Sequence, residues 1–319
     1  MKIKFLKLLE KLLALFFLVS VTACSQESKK SNLSILSNQI PVDTALVFGP
    51  GIISTKESHE SAIAFNQDMT ELYLNRRKPN GTYKIYVMNF VDGQWSKAAL
   101  ASFYTDKDKN YADYRPRLNP QGDILYFSSD RPLIGETKST GGHQWYVKKS
   151  ENGWGQPMPF DIPAADGVIV DVASSRNGNL YFSLNKKDGK PEDENVYYSV
   201  NKNGENSVAE EMGDDINSPG VWSCCPFIAP DESYMIYDSP RESGYGWVDL
   251  YISFKKNGRW TKSYNLGPTV NTNYGEGLAT VSPDGKFLFF YRDLDGTGDI
   301  FWTDFEKLKK EIQERIAEE

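Results

Sequence analysis

Short apolar runs preceded by turn residues recur along the chain. The phrase occurs five times, as AFNQDMTELYL, RLNPQGDILYF, ASSRNGNLYF, IAPDESYMIY and VSPDGKFLFF. The turns of successive copies lie 53, 56, 54 and 53 residues apart, at Asn66, Asn119, Ser175, Ala229 and Ser282. A fixed period of about fifty residues is typical of structural units that stack or are arranged around an axis.

A second turn signal follows in each of the first four copies. It is Asp-Gly or Asn-Gly, at Asp92-Gly93, Asn152-Gly153, Asn203-Gly204 and Asn257-Gly258. These dipeptides favour the positive φ angles of tight turns between antiparallel strands, so each copy predicts a four-stranded antiparallel sheet. One small sheet cannot bury both faces, whereas sheets packed face to face around an axis can. The pattern therefore predicts an all-β, five-bladed β-propeller of four-stranded antiparallel blades.

The fifth copy lacks an outer strand of its own, because the chain there turns into DFEKLKKEIQERIAEE. Apolar residues at three- and four-residue steps predict an amphipathic helix over this segment: Phe305, Leu308, Ile312 and Ile316. Near the other end, TALVFGPGIIST matches KSYNLGPTVNT, the fourth strand and exit loop of the preceding unit. We predict that Ala45–Phe48 closes the last blade, which removes its free edge. The predicted domains are a propeller at 41–304 and a C-terminal helix at 305–319.

The repeats resemble a known family at this point. SPDGKFLFFYRD and NPQGDILYFSSDRP are similar to the WD40-like (PD40, TolB-type) β-propeller repeat. The segment beginning CCPFIAPDESYMIYDSPRESG and the ending GDIFWTDFEKLKK resemble a branch of exported bacterial proteins that carry it. The resemblance covers about residues 41 to 310 and implies the propeller fold. It leaves function open, because such propellers occur both as binding scaffolds and as enzyme domains.

The N-terminus has the pattern of a bacterial lipoprotein leader. Lys2, Lys4 and Lys7 lie ahead of an apolar run at Leu12–Val21, which is shorter than the ~20 residues of a bilayer-spanning helix. The run ends in VTAC, which resembles a lipobox, although an ordinary signal peptide with a chance cysteine is the alternative. We predict a signal peptide at 1–23, lipid attachment at Cys24 and a flexible tether at 24–40. The lipid would anchor the protein to a membrane of the bacterial cell envelope, on the periplasmic or surface side of the outer membrane.

Composition excludes several functional classes. The formal net charge is −7, and the chain lacks the basic bias of a nucleic-acid-binding protein. Two histidines and three cysteines leave little material for a His/Cys zinc site, and we predict neither a metal nor a cofactor. A serine triad would need His59 or His143, and no Gly-x-Ser-x-Gly motif accompanies them. Carboxylate-only glycosidase chemistry stays open, because two acids suffice for it.

Three of the five copies have an acidic residue at the position where their innermost strand would begin: Glu60, Asp113 and Glu276. They would ring the entrance of the channel and, with Trp222, Cys224 and Cys225 from VWSCCPF, form the candidate ligand-binding set. The alternative for each carboxylate is that it caps backbone N–H groups or pairs with a nearby arginine. Cys224 and Cys225 could form a strained disulfide between neighbours or remain two buried thiols that behave as small apolar residues.

Charged pairs also recur after the second strand of the copies: Asp130 and Arg131, Arg241 and Glu242, and Arg292 and Asp293. Their repetition favours structural ion pairs that tie neighbouring blades. The irregular insert at 132–144 is a better candidate for a loop that contacts ligand.

The sequence favours a non-enzymatic envelope lipoprotein whose propeller is a binding scaffold for a protein or glycan partner. The alternative is a carbohydrate-active hydrolase or lyase that uses carboxylates at the channel mouth. The sequence predicts no catalytic residue with a defined role, and the identity of the partner stays open.

Overall fold

The computed structural model describes residues 40–41, 43–105, 108, 110–138, 142–163, 165–294 and 296–318. The predicted signal peptide, Cys24 and all of the predicted tether except Ile40 lie outside the described residues. Within the described part of the chain, no helix is long and apolar enough to cross a membrane.

The described residues form an all-β, five-bladed propeller of antiparallel blades, which confirms the predicted fold class. Strand β1 is Leu46–Val47. Blade 1 contains β2 (His59–Phe65), β3 (Glu71–Arg77), β4 (Tyr83–Val91), β5 (Gln94–Trp95) and β6 (Ala99–Leu100). Blade 2 contains β7 (Asp113–Leu118), β8 (Ile124–Ser129), β9 (His143–Ser150), β10 (Gly153–Trp154) and β11 (Met158–Pro159).

The remaining blades follow the same plan. Blade 3 contains β12 (Gly167–Ser174), β13 (Leu180–Lys186), β14 (Asn195–Ser199), β15 (Asn201–Lys202), β16 (Glu205–Asn206) and β17 (Glu210–Glu211). Blade 4 contains β18 (Cys224–Ile228), β19 (Tyr234–Ser239), β20 (Asp249–Lys256), β21 (Arg259–Trp260) and β22 (Tyr264–Asn265). Blade 5 contains β23 (Gly275–Val281), β24 (Phe287–Leu294) and β25 (Thr297–Asp304). The first strand of each copy, β2, β7, β12, β18 or β23, is the innermost strand of its blade.

Both ends of the chain contribute to blade 5. β1 pairs antiparallel with β25, with Leu46 opposite Trp302 and Val47 opposite Phe301. Phe48, which follows β1 and is fully buried, packs its ring on Phe289 and Trp302 at centroid distances of 4.9 and 5.6 Å. The predicted closure of the last blade by the N-terminal segment is therefore confirmed.

The core is divided among the blade interfaces. Five apolar clusters of described residues each combine side chains of two neighbouring blades. The cluster between blades 5 and 1, for example, contains Phe289 and Trp302 from one blade and Phe65 and Leu72 from the other. Each blade is thus stabilised by burial of both of its faces against its neighbours.

Helix α1 (Phe305–Glu318) follows β25 directly. The Asp304 carboxylate caps it by accepting a hydrogen bond from the backbone N–H of Lys307 at 2.9 Å. Its apolar stripe is buried at Phe305, Leu308 and Ile312, which join the cluster between blades 4 and 5. The helix packs on the propeller and is part of its core.

Candidate functional site

The innermost strands are irregular where they line the channel. In all five, the register with the second strand shifts after the first one to three residues, which marks a β-bulge. Three bulges hold a non-glycine residue at positive φ: Arg115 at 54°, Cys225 at 54° and Leu278 at 56°. Such a backbone costs about 1–3 kcal/mol per residue and re-aims the neighbouring side chains. The bulges therefore determine which groups point into the channel.

One arginine crosses the channel. Arg117, on β7 of blade 2, donates from Nε and Nη2 to Asp171 Oδ2 of blade 3 at 3.2 and 2.9 Å. Its Nη1 donates to Thr280 Oγ1 of blade 5 at 2.9 Å and to the carbonyl of Ala279, and its Nη2 reaches the carbonyl of Cys225 in blade 4 at 3.4 Å. Through these contacts Arg117 joins four blades at the axis. Arg117 and its ion-pair partner Asp171 are both buried.

Above the Arg117–Asp171 ion pair lies a cavity of about 340 Å³, which we call the mouth pocket. It lies on the face formed by the loops that enter the innermost strands and the loops between second and third strands. Its walls combine aromatic, aliphatic, acidic, basic and thiol side chains: Arg115, Glu194, Trp222, Cys224, Cys225, Asp238, Trp247, Glu276, Leu278 and Tyr291. A largely apolar wall with a few convergent polar groups is the usual composition of a ligand site.

Two other cavities are less suited to bind a ligand specifically. One of about 360 Å³ lies at the opposite end of the channel, among the turns between first and second strands, with Arg117 at its base. Another of about 420 Å³ lies between blades 2 and 3, and its two charged side chains, Lys148 and Asp161, are exposed to solvent. The mouth pocket contains buried carboxyl and thiol groups, Asp238, Glu276, Cys224 and Cys225, whereas the buried Arg117 of the 360 Å³ cavity is already paired with Asp171 and Thr280.

Two of the three predicted channel carboxylates are not at the mouth pocket. Glu60 is fully buried and accepts hydrogen bonds from the backbone N–H and hydroxyl of Thr55, each at 3.1 Å, and from Arg76 Nε at 2.6 Å. Asp113 is also fully buried and accepts from Tyr104 at 2.6 Å and from Arg131. Both belong to the structural alternative, because their acceptor positions are used within the protein.

Glu276 does border the mouth pocket, but its carboxylate is engaged in the same way. It accepts from the Thr272 hydroxyl at 2.6 Å, from the Thr272 N–H at 3.0 Å and from Arg292 Nε at 2.7 Å. The arrangement repeats that of Glu60 in blade 1. These acids thus fix the loops that enter their blades, because burial of a carboxylate requires paired partners, and ligand binding by them stays a prediction.

The predicted arginine pairs have other partners than their sequence neighbours. Arg131 pairs with Asp113 and Asp108, and Arg292 pairs with Glu276, whereas Asp130 and Asp293 accept backbone N–H groups. Adjacent residues of an extended chain point in opposite directions, which separates each arginine from the acid next to it.

Arg241 and Glu242 are also separated. The Arg241 guanidinium lies 4.5 Å from the ring centroid of Tyr251 and donates to the carbonyl of Ile216 at 2.8 Å, while Glu242 is exposed. Ile216 lies in the segment that arrives from blade 3. Arg241 therefore ties its blade to the preceding one through a backbone carbonyl instead of an ion pair.

Trp222, Cys224 and Cys225 do line the mouth pocket, as a wall contributed by blade 4. Both cysteines are buried thiols whose sulfur atoms lie 2.7 Å apart. Burial raises the pKa of both thiols, so they are neutral at pH 7. A disulfide between them stays a prediction. The described residues of the 132–144 insert do not line this pocket.

Sequence reasoning did not single out Asp238, Glu194 or Trp247. Burial raises the pKa of Asp238 to about 8, although the nearby Arg117 favours the charged form. Its Oδ1 accepts the backbone N–H of Leu278 at 3.2 Å. Glu194 Oε1 is buried without a hydrogen-bond partner among the described residues. Asp238 stands on β19 within an apolar strand, and a charge there is the one sequence signal that points to it.

Trp247 is held in place by the backbone beneath it. Its side chain is 62% exposed, yet a Cβ atom on Gly275 would lie 2.4 Å from its Cε2 atom. The indole therefore packs against Gly275 and forms a platform at the edge of the mouth pocket. At the opposite edge, Tyr291 is oriented by His59 Nε2 at 3.2 Å, whose Nδ1 contacts the Tyr83 hydroxyl at 2.7 Å.

No protein-family model matches the sequence, and no curated protein matches it. Solved structures do match, among them TolB from Acinetobacter baumannii, at 11% identity and a TM-score of 0.47. That match covers 78% of this chain and 52% of the TolB chain, so the chain spans about half the length of that protein.

Two glycoside hydrolases are also similar in structure. An alpha-L-arabinofuranosidase from Lactobacillus brevis has 12% identity and a TM-score of 0.50, with 76% of this chain and 89% of that chain covered. A thermostable family-43 glycoside hydrolase has 17% identity and a TM-score of 0.49, with 77% and 88% covered. At these identities the likenesses show the fold alone. The function of these proteins does not carry over to this chain, because one propeller fold hosts many functions.

Proposed function

We propose that this protein is a saccharide-binding propeller and that the mouth pocket is its ligand site. We further propose that a lipid on Cys24 anchors it in the bacterial cell envelope, which rests on the lipobox-like sequence alone. A glycan is favoured over a protein partner, because a standard protein interface buries about 800 Å² per partner, mostly on a flat surface. The mouth pocket is instead concave, at about 340 Å³.

The observation that carries the proposal is the exposed indole of Trp247, which packs against Gly275 beside the polar groups of the mouth pocket. A sugar ring has an apolar face of C–H groups and an edge of hydroxyls. An indole held against Gly275 can stack on that face without losing side-chain freedom. Glu194 and Asp238 stand within the same pocket to bind the hydroxyls. The pocket volume lies at the lower end of the ~300–1,000 Å³ usual for small-ligand sites, which suits one or two sugar residues.

Binding of the full-length protein to an array of bacterial and plant glycans tests the proposal. The strongest ligand would then be titrated by calorimetry into wild type, Trp247→Ala and Tyr245→Ala. Tyr245 is 52% exposed, lies two residues away and does not line the pocket, so it is the matched control. We expect Trp247→Ala to weaken binding about tenfold or more, as for loss of a stacked aromatic anchor. Equal affinity of all three proteins, or no glycan bound, contradicts the proposal.

Cleavage of the bound glycan is the second candidate, and one observation favours it. Asp238, whose pKa is raised to about 8, would hold a proton at pH 7, while the Glu194 carboxylate has an acceptor oxygen without a partner. An acid and a base in one pocket are the elements of glycoside hydrolysis. Release of reducing ends from the strongest array ligand, abolished in Asp238→Asn with binding retained, would establish an enzyme. Binding without release would establish a binding protein.

A further inference from the structure

Arg115 is an arginine with almost no partner in the protein. It lines the mouth pocket, and its Nη1 donates to the carbonyl of Val170 at 3.5 Å, a long and weak contact. A guanidinium has five N–H donors and stays charged at any physiological pH. Among the residues that the structure describes, no carboxylate forms an ion pair with it.

A second arginine in the same strand has hydrogen-bond partners for its whole guanidinium group. Arg117, two residues on, uses all three of its nitrogens on Asp171, Thr280 and backbone carbonyls. The Asp171 carboxylate is thus engaged by Arg117 and forms no hydrogen bond with Arg115. The positive φ of 54° at Arg115 shows that the backbone holds a strained conformation at this residue, in the bulge that directs it to the mouth pocket.

The other charged groups of the mouth pocket limit what Arg115 can bind. Glu194 retains one buried oxygen without a hydrogen-bond partner among the described residues, and the Glu276 carboxylate is occupied by Thr272 and Arg292. The pocket therefore offers one unpaired cation beside acceptors. A singly charged carboxylate that also carries hydroxyl donors matches this set, whereas a doubly charged phosphate would face Glu194 with too little positive charge.

We propose that the mouth pocket selects acidic sugars, with Arg115 binding the carboxylate of a uronic acid residue and Glu194 accepting hydrogen bonds from its hydroxyls. This inference rests on the proposed saccharide-binding function and names the class of sugar. The carboxylate would meet the guanidinium through two parallel N–H···O bonds. The sugar ring would lie between Arg115 and the Trp247 platform.

Calorimetric titration of the full-length protein with methyl glucuronoside and with methyl glucoside tests the assignment, because the two probes differ only at C6, where a carboxylate replaces a hydroxymethyl group. We expect the glucuronoside to bind about tenfold to a hundredfold more tightly, as for one bidentate charged pair. Arg115→Gln should abolish that difference, so that the variant binds the glucuronoside no more tightly than the glucoside. Arg115→Lys should restore part of it, because a lysine keeps the charge but not the bidentate geometry.

Arg176→Gln is the matched control, since Arg176 is exposed and lines the cavity at the other end of the channel. It should keep the full preference. Equal affinity for both sugars in wild type overturns the inference but leaves saccharide binding intact. Failure of both sugars to bind, together with an empty glycan array, overturns the proposed function itself. Tighter binding of methyl glucoside 6-phosphate than of the glucuronoside also overturns the assignment of a carboxylate.

Discussion

Replacing Arg117 with methionine should destabilise the whole propeller. Methionine keeps much of the apolar stem but removes the guanidinium, so Asp171 loses its two hydrogen bonds of 3.2 and 2.9 Å while remaining fully buried. Removing one partner of a buried ion pair costs about 3–5 kcal/mol, because the other charge stays uncompensated. In a domain of this size 1 kcal/mol shifts the melting temperature by about 2 °C, so we expect a decrease of about 6–10 °C.

Differential scanning calorimetry and urea unfolding would measure this effect. Arg176→Met, a change of the same type at an exposed position, should have the same melting temperature as the wild type. The double variant Arg117→Met with Asp171→Leu removes both charges and should recover much of the loss, since a buried pair can often be replaced by apolar residues at little cost. An Arg117→Met protein within about 1 kcal/mol of wild type, or a double variant less stable than the single one, would refute the reasoning.

Three further predictions follow from other sites. The pKa of Asp238 is about 8 in the folded state and about 3.8 in the unfolded state, so the folded protein loses stability as pH rises through this window. The stability of Asp238→Asn relative to wild type, measured by urea unfolding, should therefore grow from pH 5 to pH 8 and then level off. A constant difference between the two proteins across this pH range would contradict the reasoning. Phe48→Ala, which empties a fully buried site between blades 5 and 1, should cost about 3–5 kcal/mol of unfolding free energy, and an unchanged melting temperature would count against the packing described. Gly275→Ala should displace Trp247 and reduce glycan affinity as strongly as Trp247→Ala does, with little change in melting temperature; retained affinity would show that the platform is not required.

The propeller could be predicted because its signals are local. A turn such as Asp92-Gly93 or Asn257-Gly258 specifies a hairpin within a few residues, and repetition of the hairpins at a fixed spacing specifies a ring. The strand that closes blade 5 could also be predicted, because the segment around Leu46 matches the fourth strand of another copy. These features depend on neighbours in the sequence or on comparison of one repeat with the next.

The site could not be predicted in the same way. The direction of Arg115 is set by a bulge, and the contacts of Arg117 join residues from blades that are far apart in the chain. Glu60 and Asp113 occur at repeated positions, which suggested a functional ring, but repetition here reflects a shared structural task in each blade. The candidate ligand groups, Arg115 and Trp247, are those that break the repeat.

The pairing of β1 with β25 also has a consequence for the order of assembly. Because Leu46 lies opposite Trp302, blade 5 cannot be completed until Trp302, the last of the paired residues, has been synthesised. Contacts between residues so distant in sequence form slowly, since the ordering entropy must be lost before they contribute. Blades 2 to 4 can acquire their hairpins early, but their end faces stay exposed to solvent until the two termini meet. The newly made chain should therefore be most vulnerable to proteases and to self-association in the interval just before that final pairing.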